Sequence, residues 1–230
     1  MLNFSIVIPV YNEGLNIINL INEIESSLEN NFKYEIIIVN DSSNDNTIDL
    51  LLKFLPKKNI ILLNHKTNEG QSKAIHTGIK NSSTNIICTI DGDGQNDPKD
   101  IPQLLEFYLK NYEIELVGGI RYKRKDKIIK LISSKIANFV RSRLLKDNCS
   151  DTGCSLKVFN KKIFLSFPFF DGIHRFLPAL FSGYGYKTYF INVNHRKRKY
   201  GISKYGTMKR LFKGIKDLIK VNNILKNIKN

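Results

Sequence analysis

The sequence predicts an α/β fold in which a mixed, mostly parallel sheet is flanked by helices. The first observation behind this prediction is a series of short runs rich in Ile, Val and Leu in the first half of the chain. The second is that segments with apolar residues at helical spacing separate those runs, which is typical of βαβ units. The third is that polar residues follow several runs, and ligands bind at the carboxyl ends of strands in such sheets.

The elements of the first half follow one another in a regular order. The run at 35–40 (EIIIVN) has the continuous apolar character of a buried parallel strand. Proline in the first turn marks a helix that starts at Pro98, and Asp45–Thr47 provides a cap for a helix that ends at Leu55. Strands are predicted at 4–10, 35–40, 59–63, 85–91 and 115–119, and helices at 15–28, 47–55, 70–80 and 98–109.

The second half is less regular and ends in a basic helix. No repeat or low-complexity linker divides the sequence, so we expect one domain at 1–206 and an amphipathic helix at 207–230. That helix has the layout of one that lies on an anionic membrane, and packing on its own core or on a second subunit is the alternative. Its predicted apolar face consists of Met208, Leu211, Phe212, Ile215 and Ile219. Strands are predicted at 154–159 and 186–193, and helices at 127–145, 176–181 and 208–228.

The charge is distributed unevenly along the chain. Residues 1–120 contain 9 Lys and Arg against 16 Asp and Glu, whereas residues 121–230 contain 27 against 5. A basic surface attracts nucleic acid, anionic lipid or a phosphorylated substrate, and charge alone does not choose among them. The three cysteines lack CxxC spacing, so we expect reduced thiols rather than disulfides or a zinc site. We find no signal peptide and no run of about 18 apolar residues, so any membrane contact is expected to be peripheral.

A strong local signal is Asp91–Gln95 (DGDGQ), which follows an apolar run. Two carboxylates so placed are suitable ligands for Mg²⁺ or Mn²⁺, which prefer oxygen and leave positions for substrate phosphates. A tight turn is the alternative interpretation, because Asp and Gly are common turn residues. Asp97 is expected to be structural, as the cap of the helix that follows.

Several motifs of the first half resemble those of family 2 glycosyltransferases, which have the GT-A (Rossmann-like) fold. Residues 6–13 (IVIPVYNE) resemble the family's opening strand and loop, and residues 39–47 (VNDSSNDNT) its V-D-D-x-S-x-D-x-T motif. Asn40 replaces the first aspartate of that motif. Residues 68–78 resemble an N-x-G-x-x-x-A-x-x-x-G segment, and Asp91–Gln95 resembles the metal motif.

The second half resembles the polyprenyl-phosphate branch of that family, whose nearest group is the dolichol-phosphate mannosyltransferase-like enzymes. Residues 118–121 (GGIR) match a G-x-R element, and residues 151–159 (DTGCSLKVF) match D-x-x-x-G/S-x-K-x-F. Residues 198–206 (RKYGISKYG) match an R-x-x-G-x-S-K-Y loop. The motifs occur in order from about residue 4 to residue 207, which is nearly the whole chain.

The resemblance implies a role for each matching residue. Asp93 is the main expected metal ligand, with Asp91 and Gln95 ligating or orienting, and Asp151 is a general base or an acceptor-orienting residue. Ordinary packing for Tyr11 and a solvated basic surface for the arginines and Lys204 remain alternatives. The expected donor-binding residues are Pro9, Tyr11, Glu13, Asp41, Gly70 and Asp91; the expected phosphate-binding and acceptor-loop residues are Arg121, Arg198, Ser203 and Lys204.

The implied activity is inverting transfer of a sugar from GDP-mannose or a UDP-sugar to a polyprenyl or dolichyl phosphate. The implied place is the cytoplasmic face of a membrane, with a divalent cation, Mg²⁺ or Mn²⁺, as cofactor. A saccharide or another non-lipid acceptor is the alternative within the family. A basic nucleic-acid or lipid binder is the alternative outside enzymes, but nucleic acid is not the expected partner, because the basic residues do not form a known module. The sequence leaves a homo-oligomer open.

Overall fold

A computed structural model describes residues 3–28, 32–53, 59–122, 140–198 and 207–229. Seven strands form one sheet in the order β3-β2-β1-β4-β6-β5-β7. The strands are β1 Asn3–Val10, β2 Lys33–Asn40, β3 Ile60–Asn64, β4 Ile86–Thr89, β5 Ile114–Arg121, β6 Lys157–Asn160 and β7 Lys187–Val193. Strand β6 runs antiparallel to both neighbours, and the other pairs are parallel. The predicted mixed, mostly parallel sheet is therefore confirmed.

Helices cover both faces of the sheet. The helices are α1 Gly14–Leu28, α2 Thr47–Leu52, α3 Gln71–Asn81, α4 Ile101–Lys110, α6 Lys161–Ser166, α7 Leu177–Gly183 and α8 Thr207–Lys229, with helical residues 140–145 as α5. Because side chains of a strand alternate between the faces, Ile6 and Ile8 of β1 join α1 and α4 in one core, and Val7 joins α3 and α7 in the other.

Most predicted elements agree with the structure to within a few residues, and the differences have local causes. The predicted strand at 154–159 begins only at Lys157, because Ser155 bonds instead to Thr89 at the end of β4 and to the Asp91 amide in the loop that follows. The N-cap residue of α2 is Asn46, whose side chain makes no capping hydrogen bond, and the Asp45 carboxylate accepts from the Thr47 amide at 3.0 Å instead. The short helix α6 was not predicted from the sequence. Most of the predicted helix at 127–145 lies outside the described residues.

Two sides of helix α8 have different surroundings, one buried in the core and one exposed. Val221 and Leu225 are buried in the core that contains α7, and the Leu225 side chain fills the space next to Gly183. Ile215 and Ile219, which belong to the predicted apolar face, are exposed instead. Packing on its own core, the alternative interpretation, therefore holds for one side of the helix, while the predicted face points outward at these two residues. The side chains of Met208, Leu211 and Phe212 lie outside the described part.

Candidate active site

The loop after β4 carries the predicted metal-binding carboxylates and lies against the end of β1. An added Cβ on Gly92 would lie 2.7 Å from Val10 Cγ1 and 3.1 Å from the Pro9 carbonyl oxygen, so only glycine permits this approach. Pro9 is tolerated in a central strand because β1 pairs with β4 only over Ser5–Val7. The loss of surrounding water, and then the charge of Asp93, raise the pKa of Asp91 to about 6.

Arg198 joins this loop to the start of α1. Its guanidinium contacts the Glu13 carboxylate, and its Nη1 atom lies 3.8 Å from Asp93 Oδ2. Glu13 is buried and also accepts a hydrogen bond from the Asn16 amide at 2.7 Å. Tyr11 is half-buried beside Glu13 in the loop after β1. Three residues predicted from separate motifs, Glu13, Asp93 and Arg198, are therefore neighbours in the structure.

Arg121 and Asp151 form a second ion pair at the same edge of the sheet. Arg121 Nε donates to Asp151 Oδ2 and Nη2 donates to Oδ1, both at 2.7 Å. The Arg121 backbone amide donates to Oδ2 at 3.2 Å, so a single carboxylate fixes both the strand end and the guanidinium. An added Cβ on Gly153 would lie 2.8 Å from Nη2, so Gly153 leaves the space that Arg121 occupies. Arg121 also acts electrostatically on Asp91 and Asp93.

Asp41 shapes the loop in front of α3. Its carboxylate accepts hydrogen bonds from the backbone amides of Glu69 and Gly70, both at 2.8 Å. His65 Nδ1 lies 2.8 Å from Asp41 Oδ1. Gly70 has φ of +88°, a backbone conformation that favours glycine. Asp41 thus holds the segment whose neighbour, Gln71, reaches the metal-binding loop.

Two residues without a predicted role hold Asp91 in place. Gln71 Nε2 donates to Asp91 Oδ1 at 2.7 Å. Ser155 Oγ accepts from the Asp91 amide at 3.1 Å and donates to Asn96 Oδ1 at 2.7 Å, while the Ser155 carbonyl accepts from Thr89 Oγ1. Gln71 occupies a variable position of its motif, so the sequence carries no signal for it. Ser155 occupies the G/S position, where the motif does not indicate a hydrogen bond to the metal loop.

The antiparallel strand β6 places a buried lysine below the site. Lys157 Nζ donates to the Cys154 carbonyl oxygen, and burial lowers the pKa of the ammonium group.

All three cysteines of the chain are buried free thiols, as expected. His174 has a hydrogen-bonding neighbour: its Nδ1 lies 2.7 Å from Ser72 Oγ, and burial lowers its pKa to about 3.

Gln95 and Asp97 connect the metal loop to the segment before Arg198. The Gln95 amide donates to Asp93 Oδ1 at 3.1 Å, and the Gln95 carbonyl accepts from the Arg196 amide at 2.8 Å. Asp97 caps the next turn by accepting from the Lys99 amide at 3.1 Å, as predicted. Ser203 and Lys204, the other predicted acceptor-loop residues, lie outside the described residues.

The carboxylates fit a divalent cation by their chemistry. Within the described ranges, no group of three or more His, Cys, Asp or Glu side chains is arranged to hold a metal ion. Burial nevertheless raises the pKa of both Asp91 and Asp93, and the charge of Asp93 raises the pKa of Asp91 further. A site with two protein carboxylates and open positions is typical of a cation that is also bound by substrate phosphates.

The sequence model described as Glycosyl transferase family 2 matches residues 5–166. The chain is 33% identical over 226 residues to dodecaprenyl-phosphate galacturonate synthase from Rhizobium johnstonii, covering 96% of this chain and 66% of that protein. It is 34% identical over 210 residues to undecaprenyl-phosphate 4-deoxy-4-formamido-L-arabinose transferase from Pectobacterium atrosepticum, covering 90% and 64%. The chain therefore spans slightly less than two thirds of the length of these relatives.

Solved structures show the same fold. Glucosyl-3-phosphoglycerate synthase from Mycobacterium tuberculosis, in complex with Mn²⁺, UDP and glucosyl-3-phosphoglycerate, superposes with a TM-score of 0.72 at 18% identity. The match covers 95% of this chain and 78% of that one. The same enzyme with Mg²⁺ and UDP gives a TM-score of 0.67 at 17% identity, with 95% and 77% covered. At this identity the likeness establishes the GT-A fold and nothing further.

Proposed function

The chain belongs to glycosyl transferase family 2, and we propose that it transfers a sugar from a nucleotide-sugar donor to a polyprenyl or dolichyl phosphate. The two relatives named above carry polyprenyl-phosphate acceptors in their names, which supports this acceptor class. GDP-mannose and UDP-sugars both remain candidate donors. We place the reaction at the cytoplasmic face of a membrane, with the protein bound peripherally.

One observation carries the proposal: two arginines from distant parts of the chain lie near the carboxylates Asp91 and Asp93. Arg198 Nη1 lies 3.8 Å from Asp93 Oδ2, and Arg121 acts electrostatically on both aspartates. The reaction brings together a diphosphate and an acceptor phosphate. Arginine binds phosphate through its planar fork of donors, and a cation on the aspartates binds the diphosphate.

The reaction is a displacement at the anomeric carbon. A phosphate oxygen of the acceptor forms the new bond to that carbon, and the bond to the diphosphate oxygen breaks on the opposite side, so the configuration inverts. The nucleoside diphosphate leaves with the bonding electron pair. A divalent cation held by Asp91 and Asp93, with Gln95 beside them, would neutralise charge on this leaving group. Arg121 and Arg198 contribute by positioning the phosphates and stabilising their charge.

Of the two roles expected for Asp151, the contacts favour orientation over proton abstraction. Both carboxylate oxygens are engaged by Arg121, and the side chain is buried. A phosphate acceptor has a second pKa of about 6, so it is largely ionised near neutral pH and needs no strong base. We therefore propose that Asp151 positions Arg121.

Exposed apolar residues on two helices support peripheral membrane contact. Ile215 and Ile219 of α8 and Val140 and Leu144 of α5 are all exposed. Lysines at 213, 216 and 220 lie on α8 beside the isoleucines and are exposed as well. An apolar stripe flanked by lysines is the arrangement of helices that lie on anionic lipid. In the described ranges, no helix has both the length and the apolar content needed to cross a membrane.

The test is sugar transfer from a panel of nucleotide sugars to a short polyprenyl phosphate, with Mg²⁺ or Mn²⁺. We expect one donor to give a glycosylated lipid, and we expect the product to disappear with a chelator or with Asp93→Ala. Asp49→Ala is the matched control, because Asp49 is an exposed aspartate on α2.

Other outcomes separate the parts of the proposal. Metal-dependent donor hydrolysis without a lipid product would keep the transferase and refute the lipid acceptor. Transfer that is insensitive to Asp93→Ala would refute the metal role of the Asp91–Gln95 loop. Folded protein without transfer or hydrolysis for any donor would refute the proposed enzyme.

A further inference from the structure

The loop at 167–170 (FPFF) holds one aromatic side chain out in solvent between two that are buried. Phe167 and Phe170 are 5% and 3% exposed, whereas Phe169 is 42% exposed. Phe167 packs edge-on against Phe181 with ring centroids 5.1 Å apart, and Phe170 packs near Phe176. The buried neighbours thus fix the loop to the core, so the outward direction of Phe169 is set by the fold.

A lysine and a histidine of α3 pack against this exposed ring. Lys73 Nζ lies 5.5 Å from the centroid of the Phe169 ring, and the His76 ring packs against its edge at 5.0 Å. Burial, and then the charges of Lys73 and Lys80, lower the pKa of His76. Lys73, which lies on α3, is therefore a direct neighbour of Phe169.

The same loop lies alongside α8. Lys213 Nζ is 2.5 Å from Asp171 Oδ2, and Lys220 Nζ is 5.4 Å from the centroid of the Phe170 ring. These contacts place the lysine side of α8 next to residues 169–171. The exposed Ile215 and Ile219 belong to this stretch of α8. The aromatic loop therefore lies beside the lysine side of α8, and Ile215 and Ile219 lie on a different side of the same turns.

We propose that Phe169 inserts into the interfacial region of an anionic bilayer, as a second lipid contact beside α8. An exposed ring with Lys73 over it, and with Lys213 and Lys220 beside the next residues of the loop, suits an interface that is apolar inside and negatively charged at its surface. A second copy of the chain fits less well, because a twofold contact through this patch would bring the lysines of both copies together. This inference rests on the proposed membrane association and adds a specific segment to it.

The chain contains no tryptophan, so Phe169→Trp gives a single fluorescent reporter at this position. We expect its emission to shift to shorter wavelength, and to be quenched by brominated lipids, with vesicles that contain phosphatidylglycerol and not with pure phosphatidylcholine. Tyr112→Trp is the control, because Tyr112 follows α4 and is 91% exposed. We expect its emission to be unchanged by either vesicle.

A second pair of variants measures the contribution of the ring. We expect Phe169→Ser to weaken binding to phosphatidylglycerol vesicles about tenfold, and Phe169→Leu to restore most of it. Both variants should transfer sugar to a short, water-soluble polyprenyl phosphate at the native rate, which shows that they are folded.

Three results would overturn the inference. Vesicle sedimentation of Phe169→Trp without an emission change would leave membrane binding to α8 alone, and the proposed function would stand. A shift that grows with protein concentration in the absence of lipid would assign the ring to a second copy. Failure of the native chain to sediment with vesicles would refute the membrane association itself, while transfer to the soluble acceptor would separately test the enzyme.

Discussion

The two halves of the candidate site are built in different ways. The donor half comprises the loops after β1, β2 and β4. Its Asp41 and Asp91 carboxylates accept hydrogen bonds from neutral groups such as the Gly70 amide and Gln71, whereas Glu13 is paired with Arg198 of the acceptor half. The acceptor half, which comprises Arg121, Asp151 and Arg198, holds its guanidinium groups with buried carboxylates. The Asp91 carboxylate of the donor half thus keeps its negative charge for a cation. The acceptor half presents guanidinium groups whose direction is fixed by ion pairs.

This difference indicates which measured quantities should respond to substitutions in each half. A neutral donor orients a carboxylate without cancelling its charge, so changes in the donor half should alter the need for metal and nucleotide sugar. An ion pair is sensitive to the loss of either partner, because the remaining charge is left buried. Changes in the acceptor half should therefore alter acceptor use and also stability.

The largest effect is expected for Arg121→Met. Loss of the guanidinium removes a hydrogen-bond donor that would bind phosphate, and it leaves the Asp151 carboxylate buried without its main partner. We expect kcat/KM for the lipid phosphate to fall about 10³-fold, and the free energy of unfolding to fall by about 3 kcal/mol. Steady-state transfer assays and thermal melts measure the two quantities. An unchanged KM for the nucleotide sugar would show that the loss belongs to the acceptor half.

The double variant Arg121→Met with Asp151→Asn separates the two roles of Asp151. If Asp151 acts through Arg121, the second substitution adds little to the loss of activity and recovers part of the stability. A general base would instead add its own loss in the Arg121→Met background. That additive result would contradict the positioning role.

A smaller effect, about tenfold, is expected for Gln71→Leu. The substitution removes a hydrogen bond to the Asp91 carboxylate, a kind of bond that contributes about 1.5–3 kcal/mol. We expect the metal concentration for half-maximal activity to rise about tenfold while the KM of the acceptor stays unchanged. Gln103→Leu serves as the control, because Gln103 is exposed on α4. A raised KM for the acceptor with normal metal dependence would contradict the assignment of Gln71 to the donor half.

Gly70→Ala tests the backbone of the donor half. A side chain at φ of +88° costs about 1–2 kcal/mol, which should lower the melting temperature by about 2–6 °C. The Gly70 amide also donates to Asp41, so we expect weaker donor binding in titration calorimetry. Gly185→Ala is a matched control, because Gly185 has the same φ of +88° in an open turn. Equal losses of donor affinity in both variants would contradict a local role for Gly70.

The parallel part of the fold was predictable because its signals are local. Continuous apolar runs, caps and prolines gave β1 to β4 and the helices between them. Strand β6 runs antiparallel between β4 and β5, and nothing local to residues 157–160 indicates that insertion. The predicted helix at 127–145 ends correctly at Leu145 in the described part. The start of β6 was missed because contacts to a distant loop, through Ser155, override its own strand-like sequence.

The site was predictable where a motif fixes a residue type for its chemistry, and not where a residue only supports another. Asp93, Glu13 and Arg198 come from three motifs and meet in the structure. Gln71 and His65 have no such signal, because their partners lie on other elements and many residue types can make a single hydrogen bond. Supporting contacts of this kind depend on tertiary geometry that the sequence does not display.

The smallest effect is expected for Asn40→Asp, which restores the aspartate of the family motif. In the structure Asn40 Oδ1 accepts from the Ser43 amide at 3.1 Å, and Nδ2 donates to Asn64 Oδ1 at 3.0 Å. A carboxylate keeps the first bond, and rotation of the exposed Asn64 amide supplies a donor for the second. The added charge lies next to Asp41, so we expect a loss of about 1 kcal/mol in stability and less than a threefold change in kcat/KM for the nucleotide sugar. Asn40→Asp with Asn64→Asp removes the compensating donor and should be much less stable in thermal melts. A tenfold or larger gain in donor use by Asn40→Asp alone would instead show that this position contacts the nucleotide, and that the donor half differs from its relatives in chemistry as well as in packing.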